Sequence, residues 1–306
     1  MNKKAVNFLD KYAPIIMLLP AILGLLLIEV YPSLSAINMS FYDINLLNVQ
    51  KPFIGLGNYV TMFNDPTVVR ILFNTFFWAA LSLILGSSFA LFVAVQLNKP
   101  YKGRGFFRAL FLAPWVTPPL VIATIWQLIL SQNFSPISGL LMKLGWIRHP
   151  IDFLGDPTIY LGFLSVPMLS LIVINVWAMI PFSMVMFLAG LQTIPTELYE
   201  AATVDGASKG QQFRKITLPL LMPVVKTSVL LQGIWQFNSF NLSYLVTHGG
   251  PLNSTELLSV RVYNEAFNNF KYGYGAAISV VMLLVVLVPA LIYIRRTMMA
   301  ENQSGM

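Results

Sequence analysis

Few residues in this sequence are suited to bond-making chemistry. There is no cysteine, which removes disulfides, thiolate metal sites and thiol nucleophiles. His149 and His248 stand in separate polar stretches without ligand-type neighbours and read as solvated loop residues, not metal ligands. No G-x-x-x-x-G-K-[ST] phosphate loop occurs, so the chain does not hydrolyse ATP by that route. Two polar constellations remain. The first is ELYEAATVDGASKGQQFRKITLPLLMP (197–223), which carries Glu197, Glu200, Asp205, Lys209, Arg214 and Lys215 between apolar runs. The second is Gln232, Gln236, Ser239 and Ser243, which fall within roughly 60° of one another on a helix turning about 100° per residue. Neither has the nucleophile-and-base or metal-ligand pattern of an enzyme site. Their chemistry is recognition: carboxylates for a basic partner, amides and hydroxyls for a hydroxylated ligand or a neighbouring helix.

The elements that must hold these groups are membrane spans. Apolar residues make up 57% of the chain and charged residues 10%, where a soluble domain carries about a quarter charged. Mean hydropathy is +0.71. The net charge of +7 comes without a basic run interleaved with stacking aromatics, so nucleic acid is not an expected partner. Runs long enough to cross a hydrocarbon core of about 30 Å lie near 14–37, 71–97, 106–130, 160–190, 220–247 and 276–294. The first has features of a signal peptide, with Lys3, Lys4 and Lys11 ahead of it and small residues at Ser35-Ala36; we read it as a retained span. The fourth is too long for one crossing. Pro167 is expected to separate an outer piece from the crossing, and Pro181 to kink the crossing itself. The fold class expected is an all-α integral membrane protein of six transmembrane helices, forming one domain.

Orientation follows from lysine and arginine. With the N-terminus inside, the inner side receives Lys3, Lys4, Lys11, Lys99, Lys102, Arg104, Arg108, Lys209, Arg214, Lys215, Lys226, Arg295 and Arg296. The outer side receives Lys51, Arg70, Lys143, Arg148, Arg261 and Lys271. Thirteen against six satisfies the positive-inside rule and places both termini and the 195–219 segment in the cytoplasm.

Within that segment Pro195-Thr196 opens a helix, with Glu197 and Glu200 near its positive end. Asp205-Gly206 breaks it, since glycine accepts the positive φ of a sharp turn. Ser208 and Gln211 have capping-box spacing for a second helix, which Leu218-Pro219 is expected to end. On these residues alone the helix–turn–helix is either an interfacial connector or a docking element.

Glu200-Ala-Ala-x-x-Asp205-Gly206-Ala207, followed by Ile216-x-Leu218-Pro219, resembles the EAA loop of binding-protein-dependent ABC importer permeases. FIGLGNYVTMF (53–63), NTFFWA (74–79), AGLQTIP (189–195) and YLVTHGGP (244–251) resemble the carbohydrate-importer group, of the maltose and glycerol-phosphate type. The resemblance implies a type I importer permease in the bacterial cytoplasmic (inner) membrane, multi-pass. It implies a sister permease, two cytoplasmic ATPase subunits that hold the ATP and magnesium, and an extracytoplasmic solute-binding protein. This chain itself is expected to bind no cofactor. It further implies that Glu200, Ala201, Ala202, Asp205, Gly206 and Ala207 couple to the ATPase: Glu200 meets a basic group, Gly206 permits the turn and the alanines allow close packing. Sugar contacts in the maltose-type relative match Trp115, Pro119, Asn175, Ala178, Met179, Phe182, Gln232 and Gln236, with Ser239 extending the stripe. Side chains differ from that relative at most of these positions, so a shared site does not imply a shared sugar.

Two departures from the family pattern are Asn241, where an aspartate is common, and His248, where a glycine is common. The chain also lacks a large inserted outer domain. The competing class is an ion-coupled secondary sugar transporter, which places ionisable groups deep in its bundle. Here the spans hold Glu29 and Lys226, both near span ends and able to snorkel.

Overall fold

The protein is described by a computed structural model, which defines residues 15–45, 50–160 and 164–304. Lys3, Lys4 and Lys11, which bear on the orientation, lie outside the described residues, as does residue 14 of the first run. Two compact units are distinguished: residues 1–64 with 262–283, and residues 65–261 with 284–306.

In the first unit, α1 (Ile15–Met39) is long and apolar enough to cross a membrane, and none of its residues is fully buried within the chain. A wide turn at Leu26–Val30, closed by Tyr31 N–H to Leu26 O, lies just ahead of Pro32. The quoted 53–63 motif builds the connection that follows. Gly55 takes a φ of +56°, and α2 (Gly57–Asn64) begins immediately after. Asn58 donates to the carbonyls of Ser40 at 2.8 Å and Tyr42 at 3.0 Å. Gly273 lies so close to the Tyr42 carbonyl that a Cβ there would collide with it.

The second unit holds the core. Helix α3 (Pro66–Asn98) starts at an Asp65 cap that accepts from Thr67 N–H, with proline in its first turn. A sharply bent pair follows, α4 (Arg104–Val116) and α5 (Pro119–Leu130), whose axes turn by 101°. After α6 (Pro136–Lys143), two short strands pair antiparallel, β1 (Ile159–Tyr160) and β2 (Leu164–Ser165). Helix α7 (Val166–Gln192) is capped by Ser165, whose hydroxyl accepts from Met168 N–H. Helix α8 (Thr196–Val204) and the continuous α9 (Lys209–Phe237) complete the sequential elements of this unit before residue 241. Further along the chain come α10 (Leu258–Tyr263) and α11 (Tyr272–Ser304).

Helix α7 is the central element, because its residues are buried on nearly every side. One apolar cluster joins Trp78, Ala79, Ile122, Leu171 and Ile174. A second, at the other end of α7, joins Val93, Leu97, Met184, Phe187, Leu191 and Leu221. Small residues set the spacing. A Cβ on Gly86 would meet Met179 Sδ at 2.6 Å, and one on Gly190 would meet Leu221 Cδ1 at 2.7 Å. Such close approach is how helices gain packing contacts in a bilayer, where lipid supplies no hydrophobic drive between them.

Among the described residues five helices are long and apolar enough to span, or six if the bent pair counts as one. The expected run 106–130 is therefore not a single straight crossing. Pro118 disfavours the α region for its predecessor; Thr117 is extended at φ −85° and ψ 126°, and Pro119 restarts a helix as its first residue. The expectation for the fifth run also changes. Its helix stops at Phe237, a break follows at 238–240, and a separate wide turn occupies Ser243–Thr247. In the fourth run Pro167 falls in the first turn of α7, directly after the strand pair. Finally, Leu218-Pro219 ends nothing, since the helix begun at Lys209 runs through it. A wide turn at Phe213–Thr217, closed by Leu218 N–H to Phe213 O, precedes this proline just as one precedes Pro32. The i→i+5 register opens the helix wall where a proline ring would otherwise strike the carbonyl four residues back.

Candidate functional site

The 195–219 segment folds as its residues predict up to that proline. Helix α8 ends at Asp205, and Gly206 turns the chain at φ +76°. Ala207 N–H closes back on Ala202 O at 2.8 Å. The capping box forms in both halves: Ser208 Oγ accepts from Gln211 N–H, and Gln211 Oε1 accepts from Ser208 N–H. Glu197, Glu200, Ala201 and Val204 recur at i, i+3, i+4 and i+7 and are all exposed, Val204 by 88%. Asp205 and Gly206 are exposed beside them, while Ala202 and Ala207 are half-buried. The opposite side holds the helix to the spans. Tyr199 packs against the second apolar cluster, and its hydroxyl shares a 2.9 Å hydrogen bond with Thr217 Oγ1. Gln212 Nε2 donates to Thr203 Oγ1 at 2.9 Å. Because Lys209 begins the same helix that ends at Phe237, the second half of the segment is one end of a long helix.

The second constellation divides into a buried layer and an exposed one. Asn175 of α7 donates to Gln236 Oε1 at 2.7 Å and to Ser82 Oγ of α3 at 2.9 Å. Gln232 donates to the Met179 carbonyl at 3.2 Å and to Ser183 Oγ at 3.3 Å, and Ser183 pairs with Ser228. Asn175, Gln232 and Gln236 are only 7%, 2% and 5% exposed. The amides are thus paired within the chain, across α3, α7 and α9, and do not form an open polar face. Met179 is buried with them, with Gln236 Nε2 3.9 Å from its sulfur. Ser239 leaves the stripe altogether: it lies in the break after α9, where its carbonyl accepts from Ser259 Oγ. Ser243 is buried and donates to Thr255 O at 2.6 Å.

The exposed layer is aromatic. Phe182 stands edge-on to Trp115, with centroids 6.2 Å apart, and to Trp235 at 4.7 Å. Trp115 is 57% exposed and Trp235 51%. Pro119 is exposed at the start of α5, just past the bend. The bend therefore brings Trp115 beside Phe182, which a straight helix reading does not foresee. Sequence reasoning misses Trp235, Ser82, Ser183 and Ser228. Trp235 is legible only as the neighbour of Gln236, and the serines are ordinary small residues in apolar runs.

A third arrangement fixes the 248–261 loop. Asn74 of the NTFFWA motif donates to the carbonyls of Asn253 at 3.0 Å and Glu256 at 3.3 Å, and Thr75 Oγ1 accepts from Leu258 N–H at 3.0 Å. Arg261 reaches Asp65 at 3.7 Å and Glu256 at 4.0 Å. His248, where the family resemblance has glycine, takes φ +51°, the left-handed region that glycine enters without strain. Asn241 is exposed at the start of the helical turn after the break.

Residues 82–295 match the family described as binding-protein-dependent transport system inner membrane component. The chain belongs to that family. It is accordingly a multi-pass inner-membrane permease, the transmembrane subunit of an ABC importer. It is 34% identical over 285 residues to the trehalose/maltose transport system permease protein MalF of Thermococcus litoralis, covering 92% of each chain. It is 30% identical over 287 residues to the sulfoquinovosyl glycerol transport system permease protein SmoG of Agrobacterium fabrum, covering 94% of this chain and 90% of that one. In fold it matches a chain of the bacterial alginate ABC transporter, solved with an alginate pentasaccharide-bound periplasmic protein. That match has a TM-score of 0.77 at 24% identity and covers 94% of each chain.

Proposed function

We propose that this permease forms half of the pathway of an ATP-driven importer for a sugar, oligosaccharide or related polyol. A sister permease supplies the other half, two cytoplasmic ATPase subunits bind ATP and magnesium, and an extracytoplasmic binding protein delivers substrate. Both termini and the coupling segment face the cytoplasm. The sugar class is supported by relatives whose names specify trehalose/maltose and sulfoquinovosyl glycerol transport.

The observation that carries the mechanism is the continuity of α9 with the exposed helix–turn–helix. Glu200 offers a carboxylate to a basic group of the ATPase, and Val204 beside it offers an apolar knob whose burial favours docking. Ala201, Ala202 and Ala207 keep the surface low, and Asp205-Gly206 makes the turn. Tyr199 and Gln212 brace α8 against the root of α9. A displacement imposed at the tip is therefore carried along α9 into the buried amide layer, instead of being absorbed by a loop.

At that layer the pathway face is formed by Trp115, Pro119 and Phe182, with ring faces suited to a pyranose. Met179, Asn175, Gln232 and Gln236 lie behind it and fix the helix carrying Phe182. The test is ATP hydrolysis by the reconstituted complex. Glu200→Lys reverses the charge at the docking face, and Gly206→Val opposes a positive-φ turn. Both should insert normally and lose most of the substrate-stimulated hydrolysis. Full stimulation in both variants would reduce the segment to a connector.

A further inference from the structure

We propose that the groove between the last turns of α3 and the first half of α4 seats one anionic phospholipid. The cavity has a volume of about 280 Å³ and is lined by Phe92, Val93, Gln96, Leu97, Tyr101, Phe107 and Phe111. Apart from Gln96 and the tyrosine hydroxyl, that lining is hydrocarbon and aromatic, which suits an acyl chain and not a sugar.

The rim supplies the charge. Lys99, Lys102 and Arg104 are exposed on the short turn that joins the two helices. Residues 104, 107, 108 and 111 recur at i, i+3, i+4 and i+7, so two cations and two groove aromatics share one face of α4. No carboxylate balances them in sequence between Phe92 and Phe111, and among the described residues none of the four cations is in an ion pair. Arg108 Nε is buried without a hydrogen-bond partner. Lys99 Nζ donates to Gln96 Oε1 at 2.7 Å, so a rim cation is already held against a groove residue.

The groove also stands at the right depth. Leu97 clusters with Leu191 and Ile194 at the end of α7. The groove therefore opens at the same membrane boundary as the helix–turn–helix, where a headgroup meets the rim while its chain lies along the spans. Apolar walls below and uncompensated cations above match a lipid bearing a net negative charge, and a zwitterionic lipid answers only the first of these. The inference depends on the chain being membrane-embedded and not on which solute it carries.

Because the chain has no cysteine, a fluorophore can be placed at a single Leu110→Cys, one turn from Phe107 and outside the lining. The assembled importer is placed in nanodiscs of phosphatidylcholine containing brominated phosphatidylglycerol or brominated phosphatidylcholine. Phosphatidylglycerol should quench at a mole fraction at least about tenfold lower, given roughly fivefold per cation near an anionic headgroup. K99Q/K102Q/R104Q, which leaves Arg108 as the one remaining cation of the four, should reduce the preference to about fivefold or less. Gln96→Trp, which fills the groove and keeps the charges, should abolish the preference. Equal quenching by both lipids in the wild type would overturn the proposal, as would an unchanged preference in either variant. Quenching of the isolated permease that disappears in the assembled importer would assign the groove to a neighbouring subunit instead.

Discussion

Asn175→Ala tests whether the buried amides serve structure. In the wild type its amide makes two hydrogen bonds, to Ser82 Oγ at 2.9 Å and Gln236 Oε1 at 2.7 Å. Interhelical hydrogen bonds in membrane proteins contribute about 0.6 kcal/mol each on average, so the direct loss is about 1 kcal/mol. Orphaning the Gln236 carbonyl oxygen costs more, because a buried acceptor without a partner is destabilising by about 1–3 kcal/mol. Together these predict a destabilisation of about 2–4 kcal/mol. Gln236→Ala loses the same bond and its weak contact with Met179, but leaves Asn175 still paired with Ser82. About 1–2 kcal/mol is expected there.

The two substitutions share one hydrogen bond, so their effects should not add. The double variant should fall short of the sum by about 1 kcal/mol or more, since it removes the orphaned acceptor along with its donor. Equilibrium unfolding of the full-length permease in mixed micelles, titrated with a denaturing detergent, reads all four corners of the cycle. Uptake in proteoliposomes, corrected for folded protein, is measured beside it. The refuting result is additivity within about 0.3 kcal/mol, each single change costing under about 0.5 kcal/mol, while uptake collapses. That pattern would mean the amides act on the substrate and not on one another.

The remaining predictions concern topology, the aromatic face and the cap. A single cysteine at Lys209 should react with a membrane-impermeant thiol reagent only from the cytoplasmic side, and one at Lys51 only from outside; the reverse pattern would invert the orientation. Trp115→Ala should impair uptake about two- to tenfold, as expected for losing one aromatic partner worth roughly 0.5–1.5 kcal/mol. Basal ATP hydrolysis and binding-protein affinity should stay near wild type, and unchanged transport kinetics would remove Trp115 from the pathway. Ser208→Ala deletes half of the capping box and should cost about 1 kcal/mol. Its effect should appear as faster amide exchange confined to 205–212, with the spans unaffected.

Much of the 195–219 segment is legible in sequence because it depends on local backbone chemistry. Ser208 and Gln211 announce a capping box by spacing alone, and Asp205-Gly206 announces a left-handed turn, and both form. Helices survive or fail at prolines for a less local reason. Pro118 and Pro219 look alike in sequence, yet one sits at a 101° bend and the other inside an unbroken helix. The consecutive prolines at 118–119 bias two successive residues, Thr117 and Pro118, out of the helix, and both are extended, whereas the wide turn at Phe213–Thr217 prepares room for Pro219. The polar stripe fails in a different way. Period counting places Ser239 with Gln232 and Gln236, but α9 ends at Phe237. Periodicity reports which residues share a face and not whether that face meets water, lipid or another helix. Only packing reveals that Ser82 and Ser183, unremarkable in sequence, satisfy the amides.

The two proline solutions also bear on how force moves through the permease. A helix that breaks absorbs displacement at the break, and the joint between α4 and α5 is such a place: Thr117 and Pro118 are extended, and the exposed Trp115 and Pro119 flank them. A helix that widens but continues transmits displacement, and α9 does so from the capped Lys209 to Gln236. The compliant joint thus lies against the face assigned to substrate, and the stiff rod runs from the segment assigned to the ATPase. Gln236 and Phe182 connect them, through Asn175 on one side and through Trp115 and Trp235 on the other. A change in the tilt of α9 must either break the 2.7 Å bond between Gln236 and Asn175 or carry α7 along with it. Two buried apolar clusters and the close approach at Gly190 oppose separation of α7 from its neighbours. Because those clusters join α7 to α3 as well as to α9, a tilt of α9 loads all three helices together. Phe182, carried by α7, meets Trp115 at the bend, where the helix is interrupted.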